Sequence, residues 1–125
     1  MRKKIFIDEK PSHCPSQLRA IHDTMDLLDG KWKITIIGCL SFGNKRFMDL
    51  QREVEGIGSK MLSKELQELE INGLVSRTVM NTRPVTVEYA LTSYGQTLRP
   101  ILWEMAKWGQ THRKKIFSAN EDPES

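Results

Sequence analysis

Cysteine, aromatic side chains and long apolar runs are all scarce in this 125-residue chain. Its two cysteines, Cys14 and Cys39, cannot build a disulfide framework, and neither stands in a CxxC or Cys/His ligand spacing. His13, His22 and His112 are scattered, with no pair at zinc-site spacing. No metal and no cofactor are therefore expected. The longest apolar run, Ile36-Ile37-Gly38-Cys39-Leu40, is far below the roughly 20 residues that cross a bilayer. The basic start, Met1-Arg-Lys-Lys4, is not followed by the apolar stretch of a signal peptide. The expectation is a soluble, cytoplasmic protein without a membrane partner. A nucleophile–base pair, a glycine-rich phosphate loop and a paired-carboxylate motif are missing too, which argues against an enzyme. There are no internal repeats and no low-complexity blocks.

Charge of one sign is also in short supply. The net charge is +3, mildly basic. Its distribution says more. Residues 1–30 and residues 84–125 each hold five basic and five acidic residues, whereas residues 31–83 hold nine basic and six acidic. The whole excess lies in the middle of the chain. Local basic excess favours a polyanion partner, although an excess this small also fits a solvated surface.

What is present reads as one domain. Residues 1–13 mix charges with Pro11 and lack sustained periodicity, as a flexible N-terminal arm would. Residues 118–125 form a polar tail, expected to be disordered. Between them, residues 14–117 carry clear patterns. A first helix starts near Pro15-Ser16, with Leu18, Ile21, Met25 and Leu28 on one face, and ends at Asp29-Gly30. A second places Trp32, Ile36, Ile37 and Leu40 inward. A short third runs from about Arg46 to Glu53. The fourth covers Ser59 to Ile71, with Leu62, Leu66 and Leu69 on its apolar face and Asn72-Gly73 as its stop.

From Leu74 the period becomes two. Val75–Met80 and Val85–Ala90 alternate around the turn Asn81-Thr-Arg-Pro84, so a hairpin of two short strands is expected. Ser93 with Gln96 matches a capping box that opens a last helix. Its stripe of Leu98, Ile101, Leu102, Met105, Trp108, His112 and Ile116 spans about five turns, more than one small core needs. Pro100 is expected to bend its first part.

Three short helices followed by a hairpin is the order of a winged helix-turn-helix. The fold class is therefore α+β, mainly α, with a two-stranded wing and extra helices at both ends. A major groove admits one helix, and the candidate is Ser59–Ile71. Its N-terminus offers free amides to phosphate. Lys60 and Lys64 suit phosphate or guanine, and Ser59, Ser63 and Gln67 can reach base edges or phosphates. Arg46 opens the preceding helix near the DNA backbone, and Arg83 sits at the wing tip. Glu65, Glu68 and Glu70 confine the contact zone to the first two turns of that helix. The bland alternative is an amphipathic helix with a solvated polar face.

A series of residues in fixed order resembles the HxlR-type family of winged helix-turn-helix transcription regulators. It comprises Cys14-Pro15; Gly30-Lys31-Trp32; Gly43 with Arg46-Phe47; Gly56-Ile57; Leu62, Leu66 and Leu69-Glu70; Gly73-Leu74-Val75 with Arg77; Pro84; Val87-Glu88-Tyr89 with Leu91-Thr92; Gly95; Leu98-Arg99-Pro100; and Trp108-Gly109. The resemblance implies a homodimer on a pseudo-palindromic operator in double-stranded DNA. It also implies that the N- and C-terminal helices build the dimer, which assigns Leu18, Ile21, Met25, Leu98, Ile101, Leu102, Met105 and Trp108 to the interface. Gly58 departs from the serine that usually caps the recognition helix, Met80 from an aromatic, Val85 from a second proline and Thr86 from a basic residue. Wing contacts then rest on Arg83.

In some members of that family a cysteine at the position of Cys14 senses oxidants or electrophiles. The resemblance raises this role for Cys14, which precedes a helix start where a thiolate is stabilised. The alternative is a packed small hydrophobe, with the effector unknown. Cys39 reads as a core residue. The competing reading for the whole chain is a winged-helix protein-interaction module that does not bind DNA.

Overall fold

The computed structural model describes residues 14–121, with side chains described for 15–118. The elements run α1 (Cys14–Leu27), α2 (Lys33–Leu40), β1 (Lys45–Arg46), α3 (Phe47–Glu53), α4 (Ser59–Ile71), β2 (Val75–Met80), β3 (Thr86–Leu91), α5 (Ser93–Gln96) and α6 (Arg99–Glu121). The expected arm, residues 1–13, lies outside the described residues. The tail expected from Ser118 instead begins inside α6, which continues to Glu121. No helix among the described residues is long and apolar enough to cross a membrane.

The core forms where the apolar faces of α2, α3 and α4 converge on the sheet. Ile36, Ile37, Leu40, Leu50, Val54, Leu62, Leu66 and Leu69 are buried with Leu74, Val75 and Tyr89. Helical spacing puts Leu62, Leu66 and Leu69 of α4 on one line, so this helix is held along its length by one face. Phe47 packs its ring on Tyr89 with centroids 6.4 Å apart, which ties α3 to the sheet.

Two further features differ from expectation. The wing has three strands, in the order β1-β3-β2. Lys45 pairs with Tyr89 and Arg46 with Glu88, while β2 and β3 pair from Val75 with Leu91 to Met80 with Thr86. A two-residue strand has too short a pattern to announce itself in sequence, and only pairing with β3 creates it. The last helix is also two helices. The Thr92 hydroxyl, not Ser93, caps α5 by accepting from the Gly95 amide at 2.9 Å. Pro100 is the second residue of α6 rather than a kink within a longer helix, a place where its missing N–H has no partner to lose.

The α4 stop is as expected. Gly73 takes φ 76°, a conformation glycine adopts without a Cβ penalty. The Leu74 amide donates to the Leu69 carbonyl at 2.9 Å and the Gly73 amide to Glu70 at 3.0 Å. These bonds satisfy carbonyls left free at the helix end and aim the chain directly into β2.

Candidate nucleic-acid interface

The outer face of α4 is built by exclusion. Because Leu62, Leu66 and Leu69 are buried, Lys60, Ser63, Lys64 and Gln67 must share the opposite side, and all four are exposed. Their spacing of three, four and seven residues makes one continuous stripe. Gly58 is the N-cap with extended backbone, and no side chain caps the helix. Its first amides therefore remain available to an anion.

The angle of α4 is set from below by α3. The Gln51 amide nitrogen donates to the Ser59 hydroxyl at 3.2 Å and to the Ile57 carbonyl at 3.4 Å. The Ser59 hydroxyl thus braces the turn between α3 and α4. Arg46 is exposed and is the N-cap residue of α3. Arg83 is exposed in the loop between β2 and β3. Arg46 stands opposite Glu88, and Arg83 lies beyond the Met80–Thr86 pair two residues further along β3. The basic candidates thus fall at three places, the α4 face, the start of α3 and the wing loop.

One group was not evident from the sequence. Lys33 is only 4% exposed and Glu65 only 6%. The Lys33 ammonium donates to Glu65 at 2.6 Å, to Glu68 at 2.6 Å and to Asp29 at 3.3 Å. It thereby joins α2 to the inner edge of α4. Burial by itself pulls the Lys33 pKa down, but the hydrogen bonds to Glu65, Glu68 and Asp29 outweigh it and leave the group above its ordinary value. Bonds from Lys33 and Lys64 hold Glu68 below the usual carboxylate range.

The pH sign follows from these two directions. The Lys33 contribution is complete below about pH 10 and fades as pH rises through the folded-state value. The Glu68 contribution is complete above about pH 4 and fades as pH falls through its folded-state value. The contribution of these two groups to stability is therefore expected to be flat between roughly pH 5 and 9, as a urea midpoint series would measure.

The expectation that Glu65 helps to confine the DNA contact zone is corrected: it is buried against Lys33, on the apolar stripe between Leu62 and Leu69. A trace of this exists in the sequence. Lys33 shares a helix face with Ile36, Ile37 and Leu40, and Glu65 interrupts Leu62, Leu66 and Leu69. One cation and one anion, each on an apolar stripe, can be buried only as partners.

The proposed interface residues divide into two sets. Leu98 is buried and Leu102 half-buried on the chain's own core. Leu18, Ile21, Met25, Ile101 and Met105 are exposed, as is Trp108 at 70%. Trp108 stacks on His112 with centroids 5.1 Å apart. Cys14 begins α1, and its side chain lies outside those described. Cys39 is half-buried against the core, and burial, then Glu53, push its thiol up. That favours the inert protonated form.

Residues 27–117 match the family described as HxlR-like helix-turn-helix. The HTH-type transcriptional regulator YybR of Bacillus subtilis is 37% identical over 118 residues, covering 94% of this chain and 90% of its own. The structure of the redox regulator HypR in its reduced form superposes with a TM-score of 0.73 at 38% identity, over 79% of this chain and 98% of that one. The reduced form of the transcriptional regulator YodB of B. subtilis does so with a TM-score of 0.65 at 37% identity, over 71% and 87%.

Proposed function

The chain belongs to the HxlR-like helix-turn-helix family of transcription regulators, and from that premise we propose that it acts as a homodimer, without a catalytic step, on a pseudo-palindromic operator. The observation that carries this reading is the stripe Lys60, Ser63, Lys64 and Gln67, exposed opposite a fully buried face of α4. A helix held along one side presents the other rigidly, as groove reading requires. Lys60 and Lys64 engage phosphate or guanine, Ser63 and Gln67 read base edges, and Ser59 steadies the turn. Arg46 and Arg83 flank the helix on the DNA backbone.

Two such helices would enter successive major grooves, with half-sites about one helical turn apart. The exposed apolar faces of α1 and α6 supply the dimer contact. Ile101→Asp, which puts a charge in that contact, is expected to shift the sedimenting species from dimer to monomer and to lower operator affinity by about 10-fold or more, on the order of a lost interface hot spot. A variant that remains dimeric would remove Ile101 from the interface.

The decisive experiment is a mobility shift with the DNA flanking this protein's own gene. Lys64→Ala is expected to weaken all duplexes alike and to reduce the salt slope by about one. Gln67→Ala is expected to change the preference among operators, by about 1–3 kcal/mol at the affected base pair. Equal losses on operator and random duplex would remove Gln67 from readout. No retardation of any duplex at low salt would favour the protein-interaction module.

Oxidant response through Cys14 is a further part of this reading. It is supported by the kinship to the redox regulator HypR and by the place of Cys14 at the first residue of α1, where helix amides favour thiolate. A Cys14→Ser variant that still releases operator under oxidant as the parent does would show that Cys14 is not the sensor.

A further inference from the structure

The reading face of α4 and the buried ion cluster meet at one side chain, Glu68. Its Oε1 accepts from Lys33 Nζ at 2.6 Å, and its Oε2 lies 3.0 Å from Lys64 Nζ. The two cations differ sharply in freedom. The Lys33 side chain is 5% exposed and is also held by Glu65 and Asp29, whereas that of Lys64 is 60% exposed. We propose that Lys33 is a positioning residue for DNA binding: by keeping hold of Glu68, it lets Lys64 leave for a phosphate without baring a carboxylate beside the DNA. This rests on the proposed phosphate contact of Lys64.

Phosphate binding at this position is an exchange of partners. It requires Lys64 to give up or share its carboxylate. If Lys64 were the only cation near Glu68, that exchange would leave a negative charge facing a polyanion, at short range and under little salt screening. With Lys33 behind it, Glu68 keeps a bonded cation on the protein side, one whose single charge it shares with Glu65 and Asp29. The acidic residues on α4 then oppose DNA less than their number suggests, since Glu65 and Glu68 share a cation that never reaches the surface. Glu70, on the same helix, is exposed and has no share in that cation.

The test is a coupling measurement by fluorescence anisotropy with a labelled random-sequence duplex at low salt. One background is the parent. The second is Lys33→Met/Glu65→Leu, which removes the buried cation and anion together. A third, Lys33→Gln/Glu65→Gln, keeps a neutral hydrogen-bonded pair in case the second folds poorly. Circular dichroism checks folding in each. Glu68→Gln is expected to raise duplex affinity by no more than about twofold in the parent and by about tenfold where Lys33 is absent, a coupling typical of directly contacting residues. The salt slope is expected to fall by about one when Lys33 is removed and to return with Glu68→Gln.

Equal gains in parent and altered backgrounds would overturn the proposal, because a purely structural Lys33 predicts no coupling. A gain of about tenfold from Glu68→Gln in the parent alone would also overturn it, since Glu68 would then not be silenced. If the parent binds no duplex, the DNA-binding reading itself falls and this proposal with it. If the parent binds and the gains are equal, only this proposal falls.

Discussion

Gly95→Ala is expected to lower the unfolding midpoint by roughly 10 °C or more, through a destabilisation of about 3 kcal/mol. Gly95 is buried in α5, and its Cα faces the backbone of Leu74. A methyl group there would overlap the Leu74 carbonyl oxygen and come within 3.0 Å of its carbonyl carbon and 3.3 Å of its Cα. All three are backbone atoms, so no side chain can swing aside. The junction is bonded as well as tight. The Thr92 amide donates to the Leu74 carbonyl at 3.1 Å, and the Thr92 hydroxyl donates to Gly73 at 2.6 Å. Moving α5 away from Leu74 would stretch these bonds, which join the exit of α4 to the start of the C-terminal helices. Gly38→Ala in α2 is the control. Its methyl would meet only a Leu102 methyl at 3.7 Å, and alanine is favoured over glycine within a helix by about 0.5–1 kcal/mol. Thermal unfolding followed by circular dichroism separates the two. Equal midpoints would show that the Leu74 contact yields easily.

The second large effect is expected at Lys33. Lys33→Met preserves the length of the side chain but leaves Glu65 buried with no cation, at a cost of about 3–5 kcal/mol. The expected remedy is counterintuitive. Removing the second charge as well, in Lys33→Met/Glu65→Leu, should restore stability to within about 1 kcal/mol of the parent or exceed it, because an apolar pair carries no desolvation penalty. Urea unfolding of the parent, both single variants and the double variant measures this directly. If the double variant is as unstable as the Lys33 variant alone, the loss lies in packing and not in the orphaned charge. An ion pair that an apolar pair replaces without loss of stability is not explained by stability, a result that would fit the role proposed for Lys33 at the DNA face.

Much of the fold is legible in the order of residues. Leu62, Leu66 and Leu69 recur at helical spacing and Asn72-Gly73 ends the helix, so α4 and its outer stripe follow from that order alone. The same holds for α2, α3 and the β2–β3 hairpin, where apolar residues change period at Leu74. The misreadings have specific causes. β1 is two residues long and exists only through its pairing with β3. Ser93 and Gln96 have capping-box spacing, but the hydroxyl one residue earlier, on Thr92, occupies the cap because its other partner, the Gly73 carbonyl, lies beside it in space. The polar residues from Ser118 resemble a tail, yet helical backbone bonds continue to Glu121.

Sequence by itself determines the order of elements, the buried side of each long helix, the surplus apolar face of α6 and the identity of the residues that face outward from α4. These follow from periods of about 3.6 and 2 that each segment carries locally. Only the tertiary structure decides which charges on α4 are available to a partner. Lys33 and Glu65 are 32 positions apart, and neither helix alone indicates that the other's charge will be buried against it. The packing of α2 on α4 brings them to 2.6 Å, places Glu68 between Lys33 and Lys64, and so divides an apparently uniform polar helix into an inner edge whose carboxylates share a buried cation and a cationic outer face.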